Sequence, residues 1–216
     1  MKLYWSPRSP FVRKALIAVH ETGLIAEIEL IPSIAMATQP RDELLAVNPL
    51  GQIPVLLADG EAIYDSSTIC YYLDAVRGSG ALHPSDPCAR LSAERRHALG
   101  DGLSELLLHW LTERTRQQEN QSAIRIAAAN KKLPYIFQAL EKEAADFGTQ
   151  PFDIGHVAII AALGYLDFRF PSDWDWRDRF PTLSGWWDHI QTRPSVAATK
   201  HYDELVDGGA AAKARS

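Results

Sequence analysis

Cysteine is scarce in this chain. Only Cys70 and Cys88 occur among 216 residues, so no disulfide framework holds the fold, and a reducing cytoplasm is the expected setting. Metal and nucleotide signatures are missing as well: there is no Cys-x-x-Cys, no His-Glu-x-x-His, no P-loop and no Gly-x-Gly-x-x-Gly. The seven histidines are scattered. His97 and His109 share one helical pattern, but twelve residues at 100° each set them about 120° apart, so no metal site is expected. A Gly-x-Ser-x-Gly nucleophile elbow is also absent. The longest apolar run, Val157 to Leu166, is about half the roughly 20 residues a membrane helix needs. Pro7, Arg8, Pro10, Arg13 and Lys14 interrupt any apolar signal-peptide core. Basic residues are in the minority, 22 Lys and Arg against 27 Asp and Glu, for a net charge of −5. Neither nucleic acid nor an anionic membrane is expected as the main partner.

The composition itself is ordinary for a globular chain, 46% hydrophobic and 23% charged. Its organisation changes near residue 80. Residues 1–77 alternate strand and helix patterns. Lys2 to Trp5 reads as a strand, and Ser9-Pro10 opens a helix as N-cap and first helical residue. Val12, Leu16 and Val19 continue it at helical spacing, and Gly23 stops it. Ile28 to Ile31 reads as a second strand, and Glu43 to Val47 as a short helix. Pro54 to Leu57 and Ala62 to Tyr64 form a hairpin around Asp59-Gly60, and Asp65-Ser66-Ser67 caps a helix through Val76. The order β-α-β-α-β-β-α describes an α/β unit with a mixed sheet.

Residues 78–87, rich in Gly, Ser and Pro, read as a linker. Residues 88–216 contain only helical patterns: Ala89 to Gln118, Ser122 to Phe147, Asp153 to Phe168, Pro181 to Gln191 and Pro194 to Leu205. The third is apolar nearly all round, which belongs at the centre of a core. The tail from Gly208 to Ser216 is expected to fray.

Candidate chemistry gathers at two helix starts. Ser9 stands where a strand turns into a helix, so unpaired N–H groups and the positive dipole end favour an anion there. Asp65 and Ser66 offer a second such place. The serine can donate a hydroxyl and an N–H to a carboxylate, and the aspartate can accept from an ammonium, together matching the head of an amino acid. From spacing alone, simple N-capping is the plainer account of these residues. A cis Ile53-Pro54 bond would free the Ile53 main chain for a ligand, but most X-Pro bonds are trans.

Four segments together resemble the glutathione transferase superfamily, over nearly the whole chain. They are Met1-Lys2-Leu3-Tyr4 with Ser9-Pro10-Phe11-Val12-Arg13-Lys14, then Asn48-Pro49-Leu50-Gly51-Gln52-Ile53-Pro54-Val55-Leu56, then Asp65-Ser66, and Gly164-Tyr165-Leu166-Asp167-Phe168-Arg169. The resemblance is to the bacterial, serine-type branch. It implies a thioredoxin-like N-terminal domain that binds glutathione as co-substrate, followed by an all-α domain with an electrophile pocket. Pro54 would be cis, Ile53 would pair main chain to main chain with the cysteinyl part, Asp65 and Ser66 would hold the γ-glutamyl end, and Gln52 would reach a glutathione carboxylate. Ser9 would stand where other branches use Tyr or Cys, and prepare the thiolate; Ser6 is the competing assignment. Phe11, Leu106, Trp110 and Arg114 are placed by position at the electrophile pocket, although packing between helices explains them as well.

On that resemblance the protein is expected to be a cytoplasmic, dimeric, detoxifying glutathione S-transferase without a metal. Its rivals are a glutathione-dependent isomerase, dehalogenase or peroxidase on the same site, or a non-catalytic glutathione-binding or protein-interaction module. One departure stands out. The family's capping box in the helical domain has Ser or Thr at the N-cap and Asp three residues on; here Asp153 and His156 take those places. The reciprocal bond is expected to be weak or lost, and His156→Asp to restore it.

Overall fold

The computed structural model describes residues 1–203. The expected tail from Gly208 and the last two residues of the expected Pro194–Leu205 helix lie outside them. The described chain divides into two compact units, one formed by Met1–His83 together with the residues from Ala198 on, the other by Pro84–Ala197.

In the first unit, β1 (Lys2–Trp5), α1 (Pro10–Glu21), β2 (Glu29–Pro32), α2 (Asp42–Leu45), β3 (Val55–Ala58), β4 (Glu61–Ile63) and α3 (Ser66–Tyr71) follow in the expected order. A π-helical turn, Tyr72–Val76, extends α3. The sheet order is β2-β1-β3-β4. β1 runs parallel to β2 and antiparallel to β3, and β3 runs antiparallel to β4. The hairpin between β3 and β4 has two linking residues, Asp59 at φ 52° and Gly60 at φ 87°. Both central residues at positive φ make a primed turn whose twist suits paired strands, which is why Asp-Gly stands here. Leu3, Val55 and Leu56 of the sheet are buried with Val12, Ala15, Ile17 and Val19 of α1 and Ile69 and Leu73 beyond it.

Two expectations about boundaries are corrected. Residues 78–83 are not part of a free linker. The Asp74 carboxylate, fully buried, accepts the Leu82 N–H at 3.1 Å on both oxygens and lies 2.7 Å from His83 Nδ1. A buried carboxylate needs such partners, and these two residues supply them. At the other end, the last helix stops at Ala198, and residues 198–203 belong with the first unit and not with the helical one. Side-chain bonds from His201 and Asp203 to the turn after β1 hold that segment away from helical geometry.

The second unit contains α4 (Pro87–Arg114), α5 (Ala123–Phe147), α6 (Ile154–Arg169), α7 (Pro181–Ile190) and α8 (Pro194–Ala198), whose final residue passes into the first unit. α6 is buried from Ile154 through Leu166, as its all-round apolar pattern requires. α4 crosses it at close range: a Cβ on Gly100 would sit 2.6 Å from the Ala158 main-chain carbon. Only glycine allows that approach. No helix among the described residues is long and apolar enough to cross a membrane.

The Asp153–His156 cap differs from the expectation. Asp153 Oδ1 accepts the His156 N–H at 3.2 Å, and His156 Nδ1 lies 3.2 Å from the Asp153 N–H, which closes the box. The same ring nitrogen lies 2.7 Å from Asp153 Oδ1. A ring nitrogen either donates or accepts, so Nδ1 serves one of these two partners at a time. The imidazole thus fills the reciprocal place of the capping box, and that interaction is not lost.

Candidate glutathione site

The sheet register brings three turns to one end of the first unit. β1 pairs Tyr4 with Val55, and β3 pairs Leu56 with Ile63. Continued along the strands, those registers align Trp5 with Pro54 and Pro54 with Asp65. Ser6 follows the first of these, Ile53 precedes the second and Ser66 follows the third. The Ser6–Ser9 turn, the Ile53–Pro54 turn and the start of α3 thus leave the sheet at the same end, so the topology gathers residues that are far apart in sequence.

Each turn keeps polar groups available. Ser9 is extended at φ −91°, ψ 126° and caps α1, its Oγ accepting the Val12 N–H at 3.3 Å. That bond uses a lone pair and leaves the hydroxyl hydrogen to be donated. Ser6 Oγ accepts the Arg8 N–H at 3.4 Å, so its hydrogen is also available. Both serines line one small cleft with Trp5, Arg13, Thr199 and Tyr202. The cleft therefore does not choose between them; they differ in that Ser9 is the N-cap of α1, at the positive end of the helix dipole.

The Ile53–Pro54 bond is cis. Buried Asn48 fixes the approach to it, donating from Nδ2 to the Gln52 carbonyl at 2.9 Å and accepting the Leu50 N–H at 3.0 Å. Gln52 is exposed. No main-chain hydrogen bond among the described residues takes up the Ile53 N–H or carbonyl.

At α3, Asp65 caps through Oδ1, which accepts the Ser67 N–H at 3.0 Å and the Thr68 N–H at 3.4 Å. Its Oδ2 has no partner among the described residues. Ser66 is only 2% exposed, and its hydroxyl likewise has none. Lys14, wholly buried in α1, donates from Nζ to Ser67 Oγ at 3.1 Å and so links the two helices beneath the site.

The chain matches the glutathione S-transferase N-terminal domain over residues 8–76 and the C-terminal domain over residues 123–189. It is 32% identical over 204 residues to the uncharacterized GST-like protein YibF of Escherichia coli, spanning 93% of this chain and 98% of YibF. The chain belongs to the glutathione S-transferase superfamily. A family member from Pseudomonas fluorescens Pf-5, crystallised with bound glutathione, has 35% identity and a TM-score of 0.88, over 94% of this chain and 99% of that one. A Pf-5 family member with bound S-(propanoic acid)-glutathione has 34% identity and a TM-score of 0.84, over 93% and 99%.

The residues assigned to the electrophile fall in both units. Phe11, half-buried on α1, lies 5.8 Å from Lys14 Nζ in the first. In the second, Trp110 is 9% exposed and stacks on Phe170, with ring centroids 4.5 Å apart. The Arg114 guanidinium lies 5.6 Å from the centre of the same Phe170 ring and pairs with Asp173. Trp110 is thus engaged in packing within its unit. Leu106, one turn earlier on α4, stays half-buried.

Sequence reasoning missed Lys14 and the 199–203 segment. A buried lysine carries no mark in a single sequence, since its neighbours Val12 and Leu16 read as an ordinary apolar stripe. Thr199 and Tyr202 could be recognised as lining residues only through folding that brings them to the Ser6–Ser9 turn.

Proposed function

We propose that this protein is a glutathione S-transferase that uses Ser9 to stabilise the glutathione thiolate for attack on a small hydrophobic electrophile. The observation that carries this reading is the convergence, at one end of the sheet, of three sets of open polar groups. Asp65 Oδ2 suits the ammonium of the γ-glutamyl group, and the Ser66 hydroxyl and N–H suit its carboxylate. The Ile53 N–H and carbonyl suit the peptide at the cysteinyl residue, and Gln52 suits the remaining carboxylate. Ser9 then faces the sulfur.

A free thiol with a pKa near 8.5 is only a few per cent ionised at pH 7. A donated hydroxyl and a helix N-terminus both favour the anion, and each unit of lowering adds about 1.4 kcal/mol in its favour. The S-substituted glutathione held by the Pf-5 relative supports the same reading, because a thioether is what attack by the sulfur on carbon would leave. We assign the protein to the cytoplasm, as a homodimer in a detoxifying role.

The test pairs retention on immobilised glutathione with conjugation of a generic aryl halide. Retention with measurable conjugation is expected. Retention without conjugation would remove the transferase assignment and keep the binding site; failure to be retained would remove both.

A further inference from the structure

The end of the described chain returns to grip the turn that carries both candidate hydroxyls. After α8 the residues from Thr199 to Asp203 form no helix. Asp203 Oδ1 accepts from Arg8 Nη2 at 2.6 Å, and His201 Nδ1 lies 2.9 Å from the Pro7 carbonyl oxygen. A carbonyl can only accept, so Nδ1 carries the hydrogen in that bond. The two gripped residues, Pro7 and Arg8, are the whole of the chain between Ser6 and Ser9. Within the turn itself the bonds are long: Ser9 N–H to Ser6 carbonyl at 3.3 Å and Arg8 N–H to Ser6 Oγ at 3.4 Å. Both exceed the usual range for such bonds. The contacts from the returning segment are shorter, and Thr199 and Tyr202 close the wall of the cleft into which Ser6 and Ser9 face.

We propose that residues 199–203 clamp the Ser6–Ser9 turn, and that Arg8, His201 and Asp203 are positioning residues that set how the Ser9 hydroxyl meets the thiol. The clamp's role rests on the glutathione reading above. It touches no group assigned to the γ-glutamyl end, so its loss should weaken thiol activation and spare binding.

The experiment compares the parent with Arg8→Gln, Asp203→Asn and the charge-swapped pair Arg8→Asp with Asp203→Arg. Hydrogen exchange reads the Ser9, Val12 and Arg13 amides, and ultraviolet titration reads the thiolate of bound glutathione. In each single variant, exchange at these amides should quicken. The thiolate midpoint should rise by about one pH unit, or tenfold less thiolate at fixed pH, with the glutathione KM unchanged within about twofold. The swapped pair should restore most of both effects, which a general loss of stability would not allow. Unchanged exchange in the single variants overturns the clamp. Faster exchange with an unmoved midpoint overturns its role in thiol activation. A parent that binds no glutathione overturns the glutathione reading, and with it the role assigned to the clamp, whereas the exchange results still report whether the contact holds the turn.

Discussion

Ser9→Ala is expected to lower kcat by about 10- to 100-fold, the span that corresponds to roughly 1.5–3 kcal/mol for a hydrogen bond to an ionised partner. The glutathione KM should change little, because Asp65 and Ser66 hold the opposite end of the tripeptide. Alanine also removes a cap worth about 1 kcal/mol, so Ser9→Gly serves as the control: glycine retains most of the capping preference and lacks the hydroxyl. Steady-state kinetics with an aryl halide checks both variants. Equal losses in Ala and Gly locate the effect in the hydroxyl. If Ser9→Ala keeps full turnover and Ser6→Ala loses it, the assignment passes to Ser6, whose hydroxyl lines the same cleft.

The largest expected effect on stability lies in the second unit. Asp153→Ala should cost about 3–5 kcal/mol and lower Tm by about 10 °C, since it strips a buried pair of one partner. Asp153 caps α6, binds His156 and pairs with Arg96, whose side chain is 6% exposed. Arg96 has a second carboxylate neighbour, Glu143, whose Oε2 lies 3.9 Å from its Nη1. Burial pushes the Asp153 carboxyl upward, but the His156 hydrogen bond and the Arg96 charge together hold it below its ordinary value. A depressed carboxyl pKa stabilises the fold above the unfolded value, near 4, and that contribution is lost as pH falls through the lower folded value. The parent should therefore lose stability in acid below about pH 4, and Asp153→Asn should flatten that loss. Thermal melts from pH 3 to 7 check both. The same geometry reverses what the sequence suggests for His156→Asp. It would place a second carboxylate against a buried one, so the variant should melt lower than the parent.

The first unit was largely legible because its signals are local. Asp59-Gly60 specifies a hairpin, Ser9-Pro10 a helix start, and Asp65 a cap, each through the conformation of one or two residues. The apolar run of α6 announced a buried helix through its composition alone. What escaped reading depends on partners distant in sequence. Lys14 meets Ser67, and Asp203 meets Arg8 across 195 positions. The Pro194 helix pattern continues on paper past Ala198 because nothing local opposes it; the contacts of His201 and Asp203 end it. A capping box ordinarily carries a carboxylate or amide at its third position, but an imidazole nitrogen fills the same place at His156. At the candidate site, the sequence names separate residues, and the register that brings them to one end of the sheet comes only with the fold.

The central claim is that Asp65 and Ser66, with the Ile53 main chain, form a glutathione site, and calorimetric titration with glutathione tests it most directly. The parent should bind one glutathione per chain, and the double variant Asp65→Ala with Ser66→Ala should lose at least about tenfold in affinity, as removal of paired polar contacts to charged groups requires. Binding by the double variant with unchanged affinity would contradict the account, as would a parent that gives no binding heat and no competition with immobilised glutathione.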